Sequence, residues 1–496
     1  MSEARRGKAL MVLGTTSDAG KSVVTMAVCR ILGDMGYSVC PFKSQNMSLN
    51  AKPTSGGHEI SMIQELQCIA ARVEPTFRVN PILLKPTSDM KSQVVVEGKV
   101  FGTYDVDSYY SDFIPNHSFD IVRENLDALL SQYDYVVMEG AGSPAEINLY
   151  DKDIANMRAA EIADADCILV TNVAWGGSFA YLLGTVMLMP ESDRKRIKAI
   201  VYNNLRGSAD SMYRGARELE RISGIPVLGI IPHIPNRLPK EDSECFRGVR
   251  DIGTGSKIIA VVKLPRISNF TDIDPLYGED VTIRFATEPE DLDGCDAIIL
   301  PGTKNSLSDM KWLKETGIGD RIMEMHGKVP ILGLCGGYQI LGKVLSDPYG
   351  REDPSISRMD GLGLLDVHTD WDLDYKITRK STGTFIRTGE PIKGYQIHMA
   401  RTKVLGEPLF LVDGEEEGCY DEVNMVYGTY MHGVLESPSF RRYFMNLISP
   451  DLLKDDGDWN YSVELEREVA RVSACIKESF DMELFKDLFL EGKDCP

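Results

Sequence analysis

Two short strings place reactive residue types where a strand hands over to a helix. The first is Gly14-Thr-Thr-Ser-Asp-Ala-Gly20-Lys21-Ser22. Small residues let successive backbone N–H groups turn inward around a phosphate, and the N-terminus of the helix that follows adds partial positive charge. In such a cradle Gly14, Thr15, Ser17 and Gly20 form the wall, Lys21 neutralises β/γ-phosphate oxygens, and the Ser22 hydroxyl ligates Mg²⁺. Five residues, not the usual four, separate its glycines. A metal site of this kind needs a carboxylate at the end of a neighbouring strand, and Tyr135-Val-Val-Met-Glu139-Gly-Ala-Gly142 delivers Glu139 there.

The second string is Val329-Pro-Ile-Leu-Gly-Leu-Cys335-Gly336-Gly337-Tyr338-Gln339. It reads as a buried strand, a sharp turn and a helix, with the Cys335 thiol at the turn. Glycines flank it because a strained elbow leaves no room for side chains. The Gly336 N–H points toward an oxyanion forming beside the sulfur. A thiol nucleophile needs a base, and two of the seven histidines qualify. His432 lies in Tyr427-Gly-Thr-Tyr-Met-His432-Gly433, and His398 in Gly394-Tyr-Gln-Ile-His398. Spacing does not choose between them. The loop Pro301-Gly302-Thr303-Lys304-Asn305 offers a second oxyanion donor at Gly302.

The elements that must hold these residues alternate in type. Apolar runs at 9–13, 38–42, 135–138, 167–173, 199–203 and 227–231 are continuous, as parallel strands covered on both faces are. After Lys21, Val24, Val28, Ile31 and Met35 recur at helical spacing and Gly36 caps the end. Residues 167–190 contain no charge, which is long enough for a bilayer span. Asn172 and Gly176-Gly177-Ser178 interrupt that stretch, so the expectation is a strand (167–173), a loop and a buried helix (179–189). Between 233 and 257 the pattern dissolves into Pro, Gly and charge. The expected division is a first domain at 1–240, a linker at 241–256 and a second domain at 257–496. The second series begins with strands at 258–262, 281–285, 297–300 and 330–334, with shorter β-type runs near 384–386 and 426–431. An amphipathic helix at the end carries Leu465, Val469, Val472 and Ile476 on one stripe.

The chain has 496 residues, more than one core usually supports, with 43% hydrophobic and 26% charged residues. Its net charge of −20 repels phosphodiester backbones and anionic lipid, which argues against nucleic-acid or membrane-surface binding. Ten dispersed cysteines form no Cys-x-x-Cys pair. Together with the absence of a signal-peptide pattern at Met1, this predicts a cytoplasmic protein with reduced thiols.

These strings resemble known families. The second half is similar to class I glutamine amidotransferase domains, and the first to the dethiobiotin synthetase-like ATP-binding domain, whose phosphate loop has this longer spacing. Lys43-Ser-Gln-Asn-Met-Ser-Leu-Asn50, Asn80-Pro-Ile-Leu-Leu-Lys-Pro-Thr-Ser-Asp89, Glu139-Gly-Ala-Gly-Ser-Pro-Ala-Glu-Ile-Asn148, Asp153-Ile-Ala-Asn-Met157 and Pro265-Arg-Ile-Ser-Asn-Phe-Thr-Asp-Ile-Asp-Pro275 narrow the likeness. Over nearly the whole chain the sequence resembles the cobyric acid synthase family. The resemblance implies a doubly wound parallel-sheet P-loop-type α/β domain followed by an α/β class I glutamine amidotransferase domain. It implies ATP- and Mg²⁺-dependent amidation of carboxylates b, d, e and g of adenosylcobyrinic acid a,c-diamide, with L-glutamine as nitrogen donor. Carried over by motif, Cys335 is the glutaminase nucleophile and His432 its base, with Gln339 and Gly302 at the glutamine pocket. Gly20, Lys21, Ser22 and Glu139 hold ATP·Mg²⁺, and Lys43 lies on the phosphate side. Asp153, Gln45, Asn46, Lys85 and Asp89 are corrinoid-side or acyl-phosphate-side candidates. Many class I domains place a glutamate two residues after the histidine. Val434 stands there, so the sequence predicts a dyad with an unoriented imidazole. Two alternatives are a cobyrinic acid a,c-diamide synthase and a MinD/ParA-like positioning ATPase with a silent second domain. The latter usually carries an extra lysine early in the loop, where Thr15-Thr16-Ser17 has none.

Overall fold

The six apolar runs of the first half form one parallel sheet. Its strand order is Val227–Pro232, Ile197–Leu205, Asp166–Asn172, Lys8–Gly14, Tyr135–Glu139, Val39–Phe42. The computed structural model describes residues 6–88, 90–208, 210–241, 248–373, 375–450, 452 and 459–490. Val12 pairs with both Glu139 and Ile168, so the phosphate-loop strand lies between two buried neighbours. The helix Lys21–Asp34 buries Val24, Val28 and Ile31. Gly36 follows it at φ +94°, the left-handed conformation that ends a helix. The charge-free stretch resolves into the strand Asp166–Asn172 and the helix Ser178–Leu188. Among the described residues no helix is long and apolar enough to cross a membrane.

A second sheet runs Asp251–Ile252, Val281–Ala286, Lys257–Val262, Ala297–Leu300, Ile331–Leu334, Val426–Thr429, Cys419–Asp421. Its five central strands are parallel and its two edges antiparallel. The β-type run near 384–386 belongs to a separate four-stranded antiparallel sheet, in which Ile377–Phe385 lies between Pro391–His398 and Phe410–Val412. The two large sheets are those of an α/β chain, as its continuous apolar runs require, and smaller, mainly antiparallel sheets are added to them.

The chain divides into two compact units that are not simple halves. One comprises Met1–Met47, Ile60–Leu238 and Leu465–Pro496; the other comprises Ser48–Glu59 and Pro239–Glu464. The first unit is completed by the end of the chain. On the helix Tyr461–Ser479, Leu465, Val469, Val472 and Ile476 are buried. Phe480 bridges to Gly229, and the Asp481 N–H donates to the Leu228 carbonyl at 2.8 Å. The Tyr135 hydroxyl donates to the Phe489 carbonyl at 3.2 Å, and Arg30 pairs with Glu466 at 2.6 Å.

Phe485 is fully buried in this returning segment. Phe485→Ala is expected to destabilise the first unit by about 3–5 kcal/mol through lost burial and a cavity. Hydrogen–deuterium exchange of the Lys8–Gly14 strand should accelerate by about 100-fold or more, while that of Ile331–Leu334 stays near wild type.

Candidate active sites

In the first unit the phosphate loop is closed around its own lysine. Lys21 is buried, and its Nζ donates to the carbonyls of Thr16 (2.8 Å), Ser17 (3.0 Å) and Gly142 (3.0 Å). Gly14 packs against the Lys21 side chain, and Thr15 is anchored through its hydroxyl to Thr171 at 3.0 Å. Asn172 and Asn203 pin the loop from outside, donating to the carbonyls of Asp18 and Ala19. Gly20 has φ +101°, and a Cβ there would lie 2.0 Å from Asn203 Nδ2, so only glycine fits.

The sequence separates Ser22, Lys43 and Glu139 widely, and the sheet brings them together. Glu139 is buried; its Oε1 accepts from Ser22 Oγ at 2.8 Å and from Lys43 Nζ at 2.8 Å, while Oε2 accepts from Gln67. A serine hydroxyl and a carboxylate in contact are hard oxygen donors. Mg²⁺ is commonly held by one or two such groups plus substrate phosphates, so the donor set fits it. Among the described residues there is no cluster of three acidic, His or Cys side chains that would suggest a different metal.

Asp153 sits under the loop that follows Glu139. Its carboxylate accepts from the Ala155 and Asn156 N–H groups and from Asn156 Nδ2, and Asn156 in turn bonds the N–H and carbonyl of Ala141. Burial raises its pKa against those hydrogen bonds. Gln45 and Asn46 lie on the strand Gln45–Met47, which pairs with Ile82–Ser88, the strand of the buried Lys85. Gln45 accepts from the Tyr109 hydroxyl at 2.6 Å, and Asn46 donates to Gln64 at 3.0 Å. Asp89 lies outside the described residues.

In the second unit Cys335 ends the strand Ile331–Leu334 with φ +50° and ψ −106°, a strained backbone for a residue with a Cβ. Its N–H donates to the Thr429 carbonyl at 2.8 Å. A Cβ on Gly336 would lie 2.9 Å from Thr303 N, and one on Gly337 2.0 Å from the Leu300 carbonyl. Both flanking glycines are therefore sterically required. Cys335 is 7% exposed, and its thiol donates to the Ile397 carbonyl at 3.7 Å.

Cys335 is close enough to His432 to raise the proton affinity of its imidazole. His398 is engaged elsewhere: its Nδ1 donates to the Ala400 carbonyl at 2.8 Å, and its ring stacks on Tyr430. Burial lowers the His398 pKa to about 4, so it is neutral, and it lines a cavity of about 180 Å³ with Tyr430 and Arg379. Gly302 packs against His432, where a Cβ would sit 3.3 Å from its Cε1. Gln339 is buried between the Ser306 hydroxyl, which donates to it, and the Tyr430 hydroxyl, which accepts from it.

The expectation of an unoriented imidazole is corrected here. Val434 is indeed apolar and buried, but a carboxylate arrives from another part of the chain. Asp272 Oδ2 lies 2.7 Å from His432 Nδ1, and Asp272 Oδ1 accepts from the Gly433 N–H at 2.7 Å. Burial lowers the proton affinity of His432, but Asp272 and then Cys335 outweigh it and draw a second proton toward the ring. Asp272 lies 160 positions from His432, so no local spacing could reveal it. The signal available was the string Pro265–Pro275, whose aspartates had no assigned role.

A family model for the CobQ/CobB/MinD/ParA nucleotide binding domain matches residues 10–243, and one for the CobB/CobQ-like glutamine amidotransferase domain matches 258–440. Fold and sites thus define a glutamine amidotransferase joined to a nucleotide-binding domain. The chain is 43% identical to the probable cobyric acid synthase of Methanothermobacter thermautotrophicus, over 98% of this chain and 99% of that protein. It is 42% identical to cobyric acid synthase of Clostridium botulinum, over 96% and 98% of the two chains. Against cobyric acid synthase of Geobacillus thermodenitrificans the figures are 42%, 88% and 89%. The chain belongs to the cobyric acid synthase family, a group of glutamine-dependent amide ligases.

Glu417 supports the strand end that carries His432. It accepts from the Thr429 hydroxyl and the Tyr430 N–H, both at 2.6 Å, and burial raises its pKa to about 7. The folded form therefore binds a proton that the unfolded chain, with an ordinary carboxyl, releases near pH 4.5. The stabilisation is complete below that pH and is lost as pH rises through about 7. Glu417→Gln is expected to flatten this part of the curve, and melting temperatures from pH 4.5 to 7.5 check it.

Proposed function

We propose that this enzyme is a glutamine-hydrolysing cobyric acid synthase, amidating carboxylates b, d, e and g of adenosylcobyrinic acid a,c-diamide at the expense of ATP. The observation that carries this reading is the pairing, in one chain, of a lysine-centred phosphate cradle with a cysteine–histidine–aspartate centre. A carboxylate is a poor acyl donor because oxide would have to leave. Bound ATP·Mg²⁺ supplies a transferable phosphoryl group. The substrate carboxylate attacks the γ-phosphorus, giving an acyl phosphate and ADP. Lys21 would exchange its carbonyl partners for phosphate oxygens, Ser22 and Glu139 would hold the metal, and Lys43 would offset charge on the transferred group. Asp153, Gln45, Asn46, Lys85 and Asp89 are assigned to the corrinoid side of this centre.

At the second centre His432 Nε2 takes the Cys335 proton while Asp272 holds its other nitrogen. The thiolate attacks the glutamine carboxamide, with the N–H groups of Gly302 and Gly336 receiving the oxyanion and Gln339 bordering the pocket. Collapse of the adduct expels ammonia and leaves a thioester, which water cleaves to glutamate. Ammonia then displaces phosphate from the acyl phosphate. The eight cysteines among the described residues are free thiols, which supports a reducing, cytoplasmic setting. The net charge of −20 supports small-molecule partners in place of nucleic acid or membranes.

Purified protein with ATP, Mg²⁺, glutamine and the a,c-diamide should yield four successive amidations by mass spectrometry. Folded protein that amidates cobyrinic acid instead would be the a,c-diamide synthase. Cys335→Ser should lose glutamine-driven amidation by about 10³-fold or more yet retain it with high external ammonia. Lys21→Ala should lose both. Asp272→Asn should lower glutamine-driven turnover by about 10²–10⁴-fold, as expected for a histidine left in the wrong tautomer. Steady-state rates with each nitrogen source check all three variants.

A further inference from the structure

The segment Ser48–Glu59 lies in the sequence of the first half but packs as part of the second unit. It follows directly on Lys43, Gln45 and Asn46, residues of the first unit's site. Its contacts converge on His432. Asn50 is 2% exposed; its Oδ1 accepts from the Phe270 N–H at 3.1 Å, and its Nδ2 donates to the Lys240 carbonyl at 3.3 Å. The Ala51 N–H donates to Asn269 Oδ1 at 3.0 Å. Lys52 lies over the Tyr395 ring at 5.3 Å, and Tyr395 stacks on the His432 ring and pairs with its backbone. At the far end the buried Glu59 is held by Lys376 and by the Thr378 hydroxyl.

Asn269 is the link. It is buried, has φ +48°, and its Nδ2 lies 3.2 Å from His432 Nε2. The orientation of its amide follows from donor logic. The Ala51 N–H only donates, so the atom facing it is Oδ1, and the atom facing the imidazole is the –NH₂ group. That group also only donates. An amide donor at Nε2 favours the neutral ring with its proton on Nδ1, against Asp272, and so opposes the second proton that Asp272 and Cys335 draw toward the imidazole. The nitrogen that has to take the Cys335 proton is thus already occupied by an amide donor.

We propose that Ser48–Glu59 is a strap that restrains the glutaminase: through Asn50 and Ala51 it holds the Asn269 amide on the lone pair of His432 Nε2. When the amide withdraws, Nε2 accepts the Sγ–H proton, leaving a Cys335 thiolate and an imidazolium whose Nδ1–H remains on Asp272. No other reactant is required. Because the strap is continuous with the strand that carries Gln45 and Asn46, loading of the synthetase site has a covalent route to the histidine. The inference rests on the glutaminase reading of Cys335 and His432 and adds the residues that restrain it.

The test uses full-length protein and Asn269→Asp. Asp tolerates the left-handed backbone and keeps an acceptor for Ala51, but it faces Nε2 with a second acceptor. Glutamate release from glutamine without ATP or corrinoid should rise at least about tenfold, and the pH midpoint of Cys335 alkylation by iodoacetamide should fall by about one unit. Asn50→Ala adds no charge beside the imidazole and should lower that midpoint in the same direction, whereas a purely structural Asn50 would leave it where it is. Asn50→Ala, which cuts the strap from Phe270 but spares Asn269, should raise uncoupled glutamate release in the same direction, and it carries the test if Asn269→Asp does not fold. An unchanged alkylation profile, or uncoupled and coupled rates that fall together in both variants, overturns the strap. Wild-type protein that releases no glutamate under any condition overturns the glutaminase reading instead, whatever the alkylation profile shows.

Discussion

The carboxyl end of a parallel strand is the constraint on which both centres depend. Gly14, Glu139, Cys335 and the run leading to His432 each stand where a buried strand stops and the chain turns. The strands are covered on both faces, so their direction and register are fixed by burial of continuous apolar runs. The turns beyond them are then free to take conformations that a packed element forbids. Cys335 at φ +50° and Gly20 at φ +101° are tolerated because the strands below over-determine their positions. Chemistry is thus concentrated at the rim and stability in the layers beneath it.

The two centres use buried charge differently. In the first unit Glu139 collects a hydroxyl, an ammonium and an amide on its two oxygens, a neutralised cluster ready to exchange partners. In the second, Asp272 devotes one oxygen to an imidazole and the other to the backbone beside it. That bidentate grip fixes ring and loop together. An isolated carboxylate at such depth would be costly, so each is stable only with its complete set of donors.

Much of this was readable from the chain itself. Continuous apolar runs announced the parallel sheets, and the glycines around Lys21 and Cys335 announced two turns that structure makes sterically obligatory. What escaped was assembled over long sequence distances. Asp272 reaches His432 only because the loop after Lys257–Val262 folds beside the end of Val426–Thr429, and nothing in either local pattern encodes that meeting. Asn50 was visible only as part of a string shared with a family, since a buried asparagine bonding distant backbone leaves no periodic trace. His398 and His432 looked equivalent because each follows a β-type run. Their difference lies in partners, a carbonyl for one and a carboxylate with an amide for the other.

The closing helices of the chain return to complete the first unit's core, while twelve early residues, Ser48–Glu59, belong to the second. The polypeptide is therefore braided, and no single cut yields two self-sufficient pieces. A break placed in the proline-rich stretch after Leu238 would strand Leu465, Val469 and Val472 on the wrong fragment, exposing the apolar surface they cover. Evolution of this architecture by shuffling one module at a time is correspondingly hindered: either half, transplanted to a new neighbour, would arrive with part of its own fabric missing.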